Sequence, residues 1–327
     1  MTSVCPRIRQ RQHGLTLVEL MVALAIGSFL IIGAVQIYNQ SREAFVVNES
    51  IARVQETAQF AMDTIESDLR MASNWGRNSR ALAVEGRSLA EDANPLGLSV
   101  PTDCGNSWAL DLALAIDGNN NTYALGCASS GTAQTNSDVV TIRRASVLPA
   151  PLEPGRVQIQ STRVQGLLFD DGAMPSEFSP ADSATHNLLV HSYYVAQTSD
   201  LMPGVPTLRR KTLTVDGGAP VIRDQEVAHG VENIQLQLGV DINQDNAVDR
   251  YVNPGGNSIY DPNATNYIPG ARVIAARLWL VVRGVTPEVG ITDTRTYKPG
   301  DVNLGEPNDN FRRMQVSKTI LLRNARI

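Results

Sequence analysis

The sequence is poor in the residues from which many active sites are built. It has three cysteines and four histidines in 327 residues, and aromatic residues make up 5% of the chain. No G-x-S-x-G, H-E-x-x-H, P-loop or paired-cysteine motif occurs, which removes support for the common hydrolase, nucleotide-binding and zinc-binding classes. His186, His191 and His229 are scattered through strand-like or turn segments, a pattern typical of core or surface histidines rather than metal ligands. We predict that the protein is not an enzyme.

An excess of positive charge is also missing. The chain carries 28 basic and 33 acidic residues, for a net charge of −5. This balance gives no support to nucleic-acid binding, which ordinarily needs a basic surface.

The first 18 residues contain no acidic side chain, and residues 15–37 contain one ionisable side chain, Glu19. This apolar run is long enough to cross a ~30 Å hydrocarbon core as a helix. The three arginines before it predict a cytoplasmic N-terminus and an extracytoplasmic remainder. A cleavable secretory signal does not fit, because the run exceeds about 20 residues and no small-residue cleavage site closes it. A carboxylate within such a span is costly, which indicates a function for Glu19.

The segment from Gly14 to Leu20, Gly-Leu-Thr-Leu-Val-Glu-Leu, resembles the N-terminal signal of type IV pilins and pseudopilins. In that superfamily a membrane peptidase cuts after the glycine and methylates the new N-terminus, which the resemblance places at Gly14 and Leu15. Glu19 then takes the fifth mature position, where the superfamily has its characteristic glutamate. The resemblance implies that Glu19 pairs with the α-amine of a neighbouring subunit during assembly. The superfamily most often has phenylalanine at the first mature position, and Leu15 is similar to it in bulk and polarity.

The resemblance and the spacing of apolar residues divide the chain into four parts. These are a cleaved leader (1–14), a transmembrane or fibre-core helix (15–38), an amphipathic helical spine (39–75) and an extracytoplasmic β-rich head (76–327). The spine is predicted because apolar residues recur every three or four positions from Val47 to Ala72, and Gly76 is the expected stop.

The head is predicted to be an antiparallel sheet assembly packed on the helix, so the fold class is α+β and pilin-like. Residues 77–136 read as a loop-dominated insertion, and the Asn-rich run 117–121 as a plain turn. Residues 285–310 form a long connection, interpreted either as a docking or lid loop or as a mobile one. The predicted strands are 138–143, 156–160, 187–196, 207–214, 221–227, 233–240, 272–282 and 315–322.

The cysteines predict one disulfide. Cys5 leaves with the leader, so Cys104 and Cys127 remain outside the cytoplasm, where two cysteines most simply pair. Closing a loop of that size contributes roughly 3 kcal/mol in the chain-entropy model.

One segment of the head is a candidate calcium site. Asp241, Asn243, Asp245, Ala247 and Asp249 occupy the alternate positions of the first part of a calcium loop. The sixth position is asparagine instead of glycine, and the bidentate glutamate of the twelfth position is missing. The alternative is an Asx-rich turn that joins two strands.

The second half of the chain resembles the PilW group of type IV pilus minor pilins. The resemblance is carried by residues 230–236, the aspartate-rich loop after them, residues 273–280 and the C-terminal stretch 312–324. It implies a non-enzymatic subunit that primes pilus assembly, sits near the fibre tip, and supports adhesion and twitching motility. The implied partners are the prepilin peptidase, other minor pilins, the major pilin and a tip adhesin. The protein would span the inner membrane once, with a periplasmic head, before it enters the fibre.

Two other functions stay open. A large minor pseudopilin of a type II secretion system has the same kind of N-terminus, although heads in that group tend to be smaller. A calcium-dependent adhesive module tethered by the helix would require the Asp241 loop and dispense with Glu19.

Overall fold

The computed structural model describes residue 14 and residues 16–85, 97–100, 104–105, 108–255 and 258–325. The chain divides into two units, residues 1–51 and residues 52–327. One helix, α1 (Leu17–Met71), begins in the first unit and ends in the second.

From Leu17 to Ile37, in the first unit, α1 is apolar on all sides apart from Glu19. The sequence from Leu17 to Ile37 carries one charged side chain and no proline, so nothing in it interrupts the helical hydrogen bonds. The large apolar side chains of this stretch are exposed. A helix that is apolar on all sides is typical of a membrane span or of the interior of a protein assembly.

In the second unit, α1 becomes a core helix with one buried face. Val54, Ala58, Ala61, Ile65 and Leu69 are at most 3% exposed, and their spacing of three or four residues places them on one side of the helix. The same hydrophobic cluster includes residues of both β-sheets described below. The helix ends at Met71 instead of residue 75, because Ser73 adopts a left-handed conformation with φ of 63°.

Within the described residues, the first sheet contains eight strands. They are β1 (Val84–Glu85), β2 (Ile116–Asn119), β3 (Val139–Ala145), β4 (Gln158–Ser161), β5 (Gly166–Phe169), β6 (Ala184–Ala196), β7 (Thr207–Asp216) and β8 (Ala219–His229). The strand order is β1-β5-β4-β6-β3-β2, and β6 also pairs with β7, which pairs with β8. β6 is the central strand: its first residues pair with β4 and its last with β7 on the same edge.

The second sheet is antiparallel and has four strands in the part of the chain that the structure describes. They are β9 (Val231–Asp241), β10 (Arg250–Val252), β11 (Arg272–Arg283) and β12 (Arg313–Leu321), in the order β10-β9-β11-β12. Ile234, Leu236 and Leu238 of β9 are buried in the core shared with α1. Strict alternation of apolar and polar residues in β9 predicted this orientation.

The α+β class with a long N-terminal helix is confirmed, and each predicted strand corresponds to an observed one. Three details of the prediction are wrong. The first sheet is mixed, because β1 and β5 pair in parallel. The run 117–121 is not a plain turn, because its first three residues belong to β2. The strands β1, β5 and β10 were not predicted; each has four residues or fewer, too few to show a period.

The connection 285–310 is folded onto itself and is held to β12 through Arg313. Isolated bridges join Asp293 to Asp309 and Tyr297 to Gly305. The buried guanidinium of Arg313 contacts Asp309 at 2.5 Å and Glu232 at 2.6 Å. These contacts favour an ordered connection over the mobile one.

Candidate functional site

Glu19 lies in the first turn of α1 and caps it together with Thr16. The backbone N–H and the hydroxyl of Thr16 both donate to Oε2 of Glu19, each at 2.9 Å. In return, the backbone N–H of Glu19 donates to Oγ1 of Thr16 at 3.2 Å. This is a reciprocal capping box, which satisfies amide groups that the helix itself cannot pair. The carboxylate is therefore anchored at the helix N-terminus, where the helix dipole favours a negative charge.

The helix surface beyond Glu19 is apolar and uncovered in the single chain. An 18-residue window of α1 has a mean hydropathy of 2.4, and none of it is buried. Among the described residues, α1 is the helix that is long and apolar enough to cross a membrane. An apolar surface of this extent indicates contact with lipid or with other subunits.

The predicted processing site lies at the edge of the described residues. Gly14 is exposed, and no atom comes within 4 Å of the position that a Cβ would take. The arginine-bearing leader and Leu15 lie outside the described residues. Cleavage after Gly14 and methylation of Leu15 stay predictions.

A disulfide joins Cys104 to Cys127. The carbonyl of Cys104 accepts a hydrogen bond from the amide of Gly126 at 2.6 Å, and the hydroxyl of Tyr123 donates to the carbonyl of Cys127 at 2.9 Å. The bond closes a loop of 23 residues within the segment 77–136. Cys5 lies outside the described residues.

The loop between β9 and β10 contains the residues of the predicted calcium site and is closed by a series of Asx turns. Its side-chain carboxylate and amide oxygens accept hydrogen bonds from backbone amides of the same loop. Asp241 accepts from Gln244 and Asn246, Asn243 from Asp245, Asp245 from Ala247, and Asp249 from Ile242, over 2.6–3.0 Å. Among the described residues, no group of three or more His, Cys, Asp or Glu side chains could hold a metal ion.

A cation of the protein itself lies beside the first residue of this loop. The guanidinium of Arg272 contacts Oδ2 of Asp241 at 3.1 Å, and Asp241 is fully buried. A metal ion at Asp241 would have to be held next to this positive charge, which opposes binding. The geometry fits the Asx-rich turn between two strands, and calcium at Asp241, Asn243, Asp245, Ala247 and Asp249 stays a prediction.

A buried polar cluster on α1 was not predicted. Asp68 is 3% exposed, and its carboxylate contacts Nη2 of Arg144 at 2.7 Å and accepts from the hydroxyl of Tyr193 at 2.6 Å. Its position, three residues after the buried Ile65, is the signal in the sequence that places it on the core face. Its partners come from β3 and β6 and could not be read from local spacing.

The histidines take part in structural contacts. Nδ1 of His191 lies 2.6 Å from Oδ2 of Asp68, and Nδ1 of His186 lies 2.8 Å from the carbonyl oxygen of Ser146. His229 lies 3.7 Å from Glu226. These positions agree with the predicted core and surface roles.

Two parts of the chain match known families. Residues 9–35 match the family described as Prokaryotic N-terminal methylation motif, and residues 192–324 match the family described as Type IV Pilus-assembly protein W. The chain is also similar to the solved structure of a type IV-like pilin from Thermus thermophilus. The sequence identity is 15%, the TM-score is 0.31, and the match covers 65% of this chain and 85% of that chain. No curated protein matches the chain.

An exposed apolar N-terminal helix followed by a β-rich unit agrees with the pilin-like α+β fold that the sequence predicts. The second match covers the chain from β6 to its last described residues. The two matches agree with the resemblance to type IV pilins and to the PilW group that was seen in the sequence. The methylation motif implies processing by a prepilin peptidase and association with pilus components.

Proposed function

We propose that this protein is a non-enzymatic minor subunit that primes assembly of a type IV pilus and sits near the fibre tip. Its partners would be other minor pilins, the major pilin and a tip adhesin, and its work would support adhesion and twitching motility. Before assembly it would span the inner membrane once, with its β-rich unit in the periplasm. The observation that carries the proposal is the pairing of a Glu19 fixed at the helix start with an exposed apolar helix surface.

The chemistry of docking follows from that pairing. After cleavage behind Gly14, the α-amine of Leu15 is a cation that must enter lipid or a fibre core. A carboxylate from a neighbouring subunit offsets the cost of burying this charge when the two groups pair closely. Thr16 holds Oε2 of Glu19, and the carboxylate has a second oxygen that can accept from the neighbour's amine. A subunit docked in the wrong axial register would leave both charges unpaired in an apolar medium, at a cost of several kcal/mol.

The test uses a host strain that lacks the protein and is complemented with variants. Glu19→Gln keeps the size and hydrogen-bonding capacity of the side chain but removes its charge. Glu43→Gln makes the same change at an exposed position of the same helix and serves as the matched control. We expect Glu43→Gln to restore pilus number and twitching, and Glu19→Gln to fail at equal protein level. Full piliation with Glu19→Gln would overturn the proposal.

The same deletion strain separates the pilus subunit from a secretion pseudopilin. We expect loss of pili with unchanged amounts of secreted enzymes in the medium. Loss of secreted enzymes with normal pili would assign the protein to a type II secretion system. A tethered adhesive module would leave both pili and secretion intact and reduce attachment alone.

A further inference from the structure

One face of the second sheet carries two aromatic side chains beside an arginine. Leu278 and Leu280 of β11 belong to the core shared with α1, so Arg277 and Trp279, which alternate with them, lie on the opposite face. A tyrosine of β10 and two hydroxyl side chains of β12 share that face. It is here called the Arg277 face and consists of Tyr251, Arg277, Trp279, Ser317 and Thr319.

The guanidinium of Arg277 packs against both rings. Its Cζ lies 3.9 Å from the ring centre of Tyr251 and 5.9 Å from that of Trp279, distances at which aromatic rings attract a cation. Tyr251 reaches the arginine across β9, because its partner on that strand is Gly239. A Cβ at Gly239 would lie 3.1 Å from Cε1 of Tyr251, so a larger residue would crowd the ring. The rings therefore restrict the position of the guanidinium.

Arg277 has no anionic partner among the residues that the structure describes. The other described arginines that are buried or half-buried all donate a hydrogen bond or form an ion pair, and Arg277 does neither. None of its nitrogens is buried, so its N–H groups face solvent. A half-buried cation of this kind has lost part of its hydration without gaining an opposite charge. An anion from outside the chain would supply that charge.

Hydroxyl groups border the arginine. In the pairing of β11 with β12, Thr319 lies directly opposite Arg277, and Ser317 lies directly opposite Trp279. Both side chains are exposed, and within the described residues their hydroxyls have no hydrogen-bond partner. The Arg277 face thus combines one cation, two aromatic rings and neutral hydroxyls, and none of its members is acidic.

We propose that the Arg277 face binds an acidic polysaccharide, a sugar chain that carries carboxylates. A carboxylate pairs with the fork of N–H groups of Arg277. The apolar face of a sugar ring packs on the exposed part of Trp279 or Tyr251. Sugar hydroxyls both donate and accept hydrogen bonds, as do the hydroxyls of Ser317 and Thr319.

A polysaccharide fits this face better than a peptide or a small molecule does. The backbone of β11 is paired on both sides, with β9 and with β12, so an acidic peptide would find no main-chain partners beside Arg277. Small-molecule sites are concave, whereas an extended polymer can lie along the face of a sheet. The chain has a net charge of −5, which repels an acidic polymer in general. Binding would therefore depend on the local positive charge of Arg277.

The inference names a ligand class for the adhesion included in the proposed function. It rests on that function for its biological setting, in which the polysaccharide belongs to the surface to which the cell attaches. Binding itself can be measured on the isolated protein, without pilus assembly.

The test is titration calorimetry on the full chain in micelles of a neutral detergent. The probes are oligogalacturonate, the same oligosaccharide with its carboxylates reduced to alcohols, hyaluronan oligosaccharides, and hexaglutamate. We expect oligogalacturonate or the hyaluronan oligosaccharides to bind. The reduced oligosaccharide and hexaglutamate should bind at least about tenfold more weakly. Binding of neither acidic sugar would overturn the inference. Hexaglutamate bound as tightly as the sugars would indicate an acidic-peptide site instead, and would also overturn it.

Three variants locate the binding. Arg277→Gln removes the charge and should weaken sugar binding at least about tenfold. Thr319→Val, an exposed change that keeps the shape of the side chain, should weaken it about threefold. Arg250→Gln makes the same charge change at an exposed position of β10, one residue from Tyr251 and so on the opposite face, and should bind like the unchanged protein. Equal weakening by Arg250→Gln and Arg277→Gln would show that only net charge matters and would overturn the inference.

Pilus counts separate this inference from the proposed function. In the complemented host strain, we expect Arg277→Gln to restore pilus number but to reduce attachment to a surface coated with polygalacturonate. Loss of pili in this variant at equal protein level would assign the face to assembly and overturn the inference. Full piliation with Glu19→Gln would overturn the proposed function and leave the sugar binding in micelles unchanged.

Discussion

Asp68 on α1 and His191 on β6 are joined by a contact of 2.6 Å between Oδ2 and Nδ1. Arg144 and Tyr193 bind the same carboxylate, so a single helical side chain is fixed to two strands of the first sheet. This cluster connects the C-terminal part of α1 to the sheet by polar contacts, in the middle of an otherwise apolar core. A buried carboxylate is tolerated here because every partner is a donor or a cation.

We predict that Asp68 makes the second unit sensitive to acid. Burial opposes ionisation, but the hydrogen bonds from His191 and Tyr193 and the positive charge of Arg144 outweigh it and hold the pKa of Asp68 well below its ordinary value. A lowered carboxyl pKa contributes stability that is present above the unfolded-state pKa of about 3.9. This stability is lost as the pH falls below about 4 toward the folded-state pKa. Urea unfolding between pH 7 and pH 3 measures the effect.

The matched variants for this prediction are Asp68→Asn and Asp63→Asn, the latter at an exposed site on the same helix. We expect Asp68→Asn to lower the free energy of unfolding at pH 7 by about 3 kcal/mol, because it leaves Arg144 without its buried partner. Its loss of stability in acid should be smaller than that of the unchanged protein. Asp63→Asn should stay within about 0.5 kcal/mol at both pH values. Equal effects of the two variants on the free energy of unfolding would contradict a stabilising role for the buried contacts of Asp68.

A second prediction concerns the capping box at the start of α1. Thr16→Val keeps the shape of the side chain but removes the oxygen that caps the helix, at a cost of about 1 kcal/mol. The amide of Glu19, which donates to that oxygen, should then exchange its hydrogen about fivefold faster. Thr16→Ser keeps the oxygen and should exchange at the original rate. Hydrogen exchange of the full chain in detergent micelles, read at this amide, makes the comparison. An unchanged rate in Thr16→Val would mean that the capping box is not populated.

A third prediction concerns the disulfide between Cys104 and Cys127. The bond closes a loop of 23 residues, so its loss should lower the free energy of unfolding by about 3 kcal/mol. Denaturant unfolding of the oxidised and reduced protein measures this difference. The double variant Cys104→Ser/Cys127→Ser should match the reduced protein and should not respond to reductant. A double variant as stable as the oxidised protein would contradict the prediction.

Local sequence patterns were sufficient to predict the helix and most strands. The apolar run after Gly14 and the three-to-four spacing of Val54, Ala58 and Ile65 each impose one conformation. The alternation of Ile234 and Leu236 with glutamines predicted a half-buried strand for the same reason. Where the hydrophobic period persists for several helical turns or several alternating residue pairs, the sequence alone predicts the helix or strand.

Pairings between distant segments could not be predicted in this way. β2 contains Gly118 and Asn119, both turn-formers, yet it is a strand because it pairs with β3. Glycine is needed at position 118, because a Cβ there would collide with the carbonyl oxygen of Val139. The surroundings of the Asp241 loop could not be predicted for a similar reason. Arg272, from another strand, takes the place beside Asp241, and no local pattern indicates that contact.

The mass of the N-terminal peptide tests most directly whether this protein is processed and assembled as a minor pilin. Protein isolated from its own host should begin at Leu15, with one added methyl group on the α-amine. The same measurement on a Gly14→Val variant should show an uncut chain, because a side chain at this position blocks the expected cleavage. A native chain that still carries the leader, or one cut after Tyr38, would contradict the pilin account.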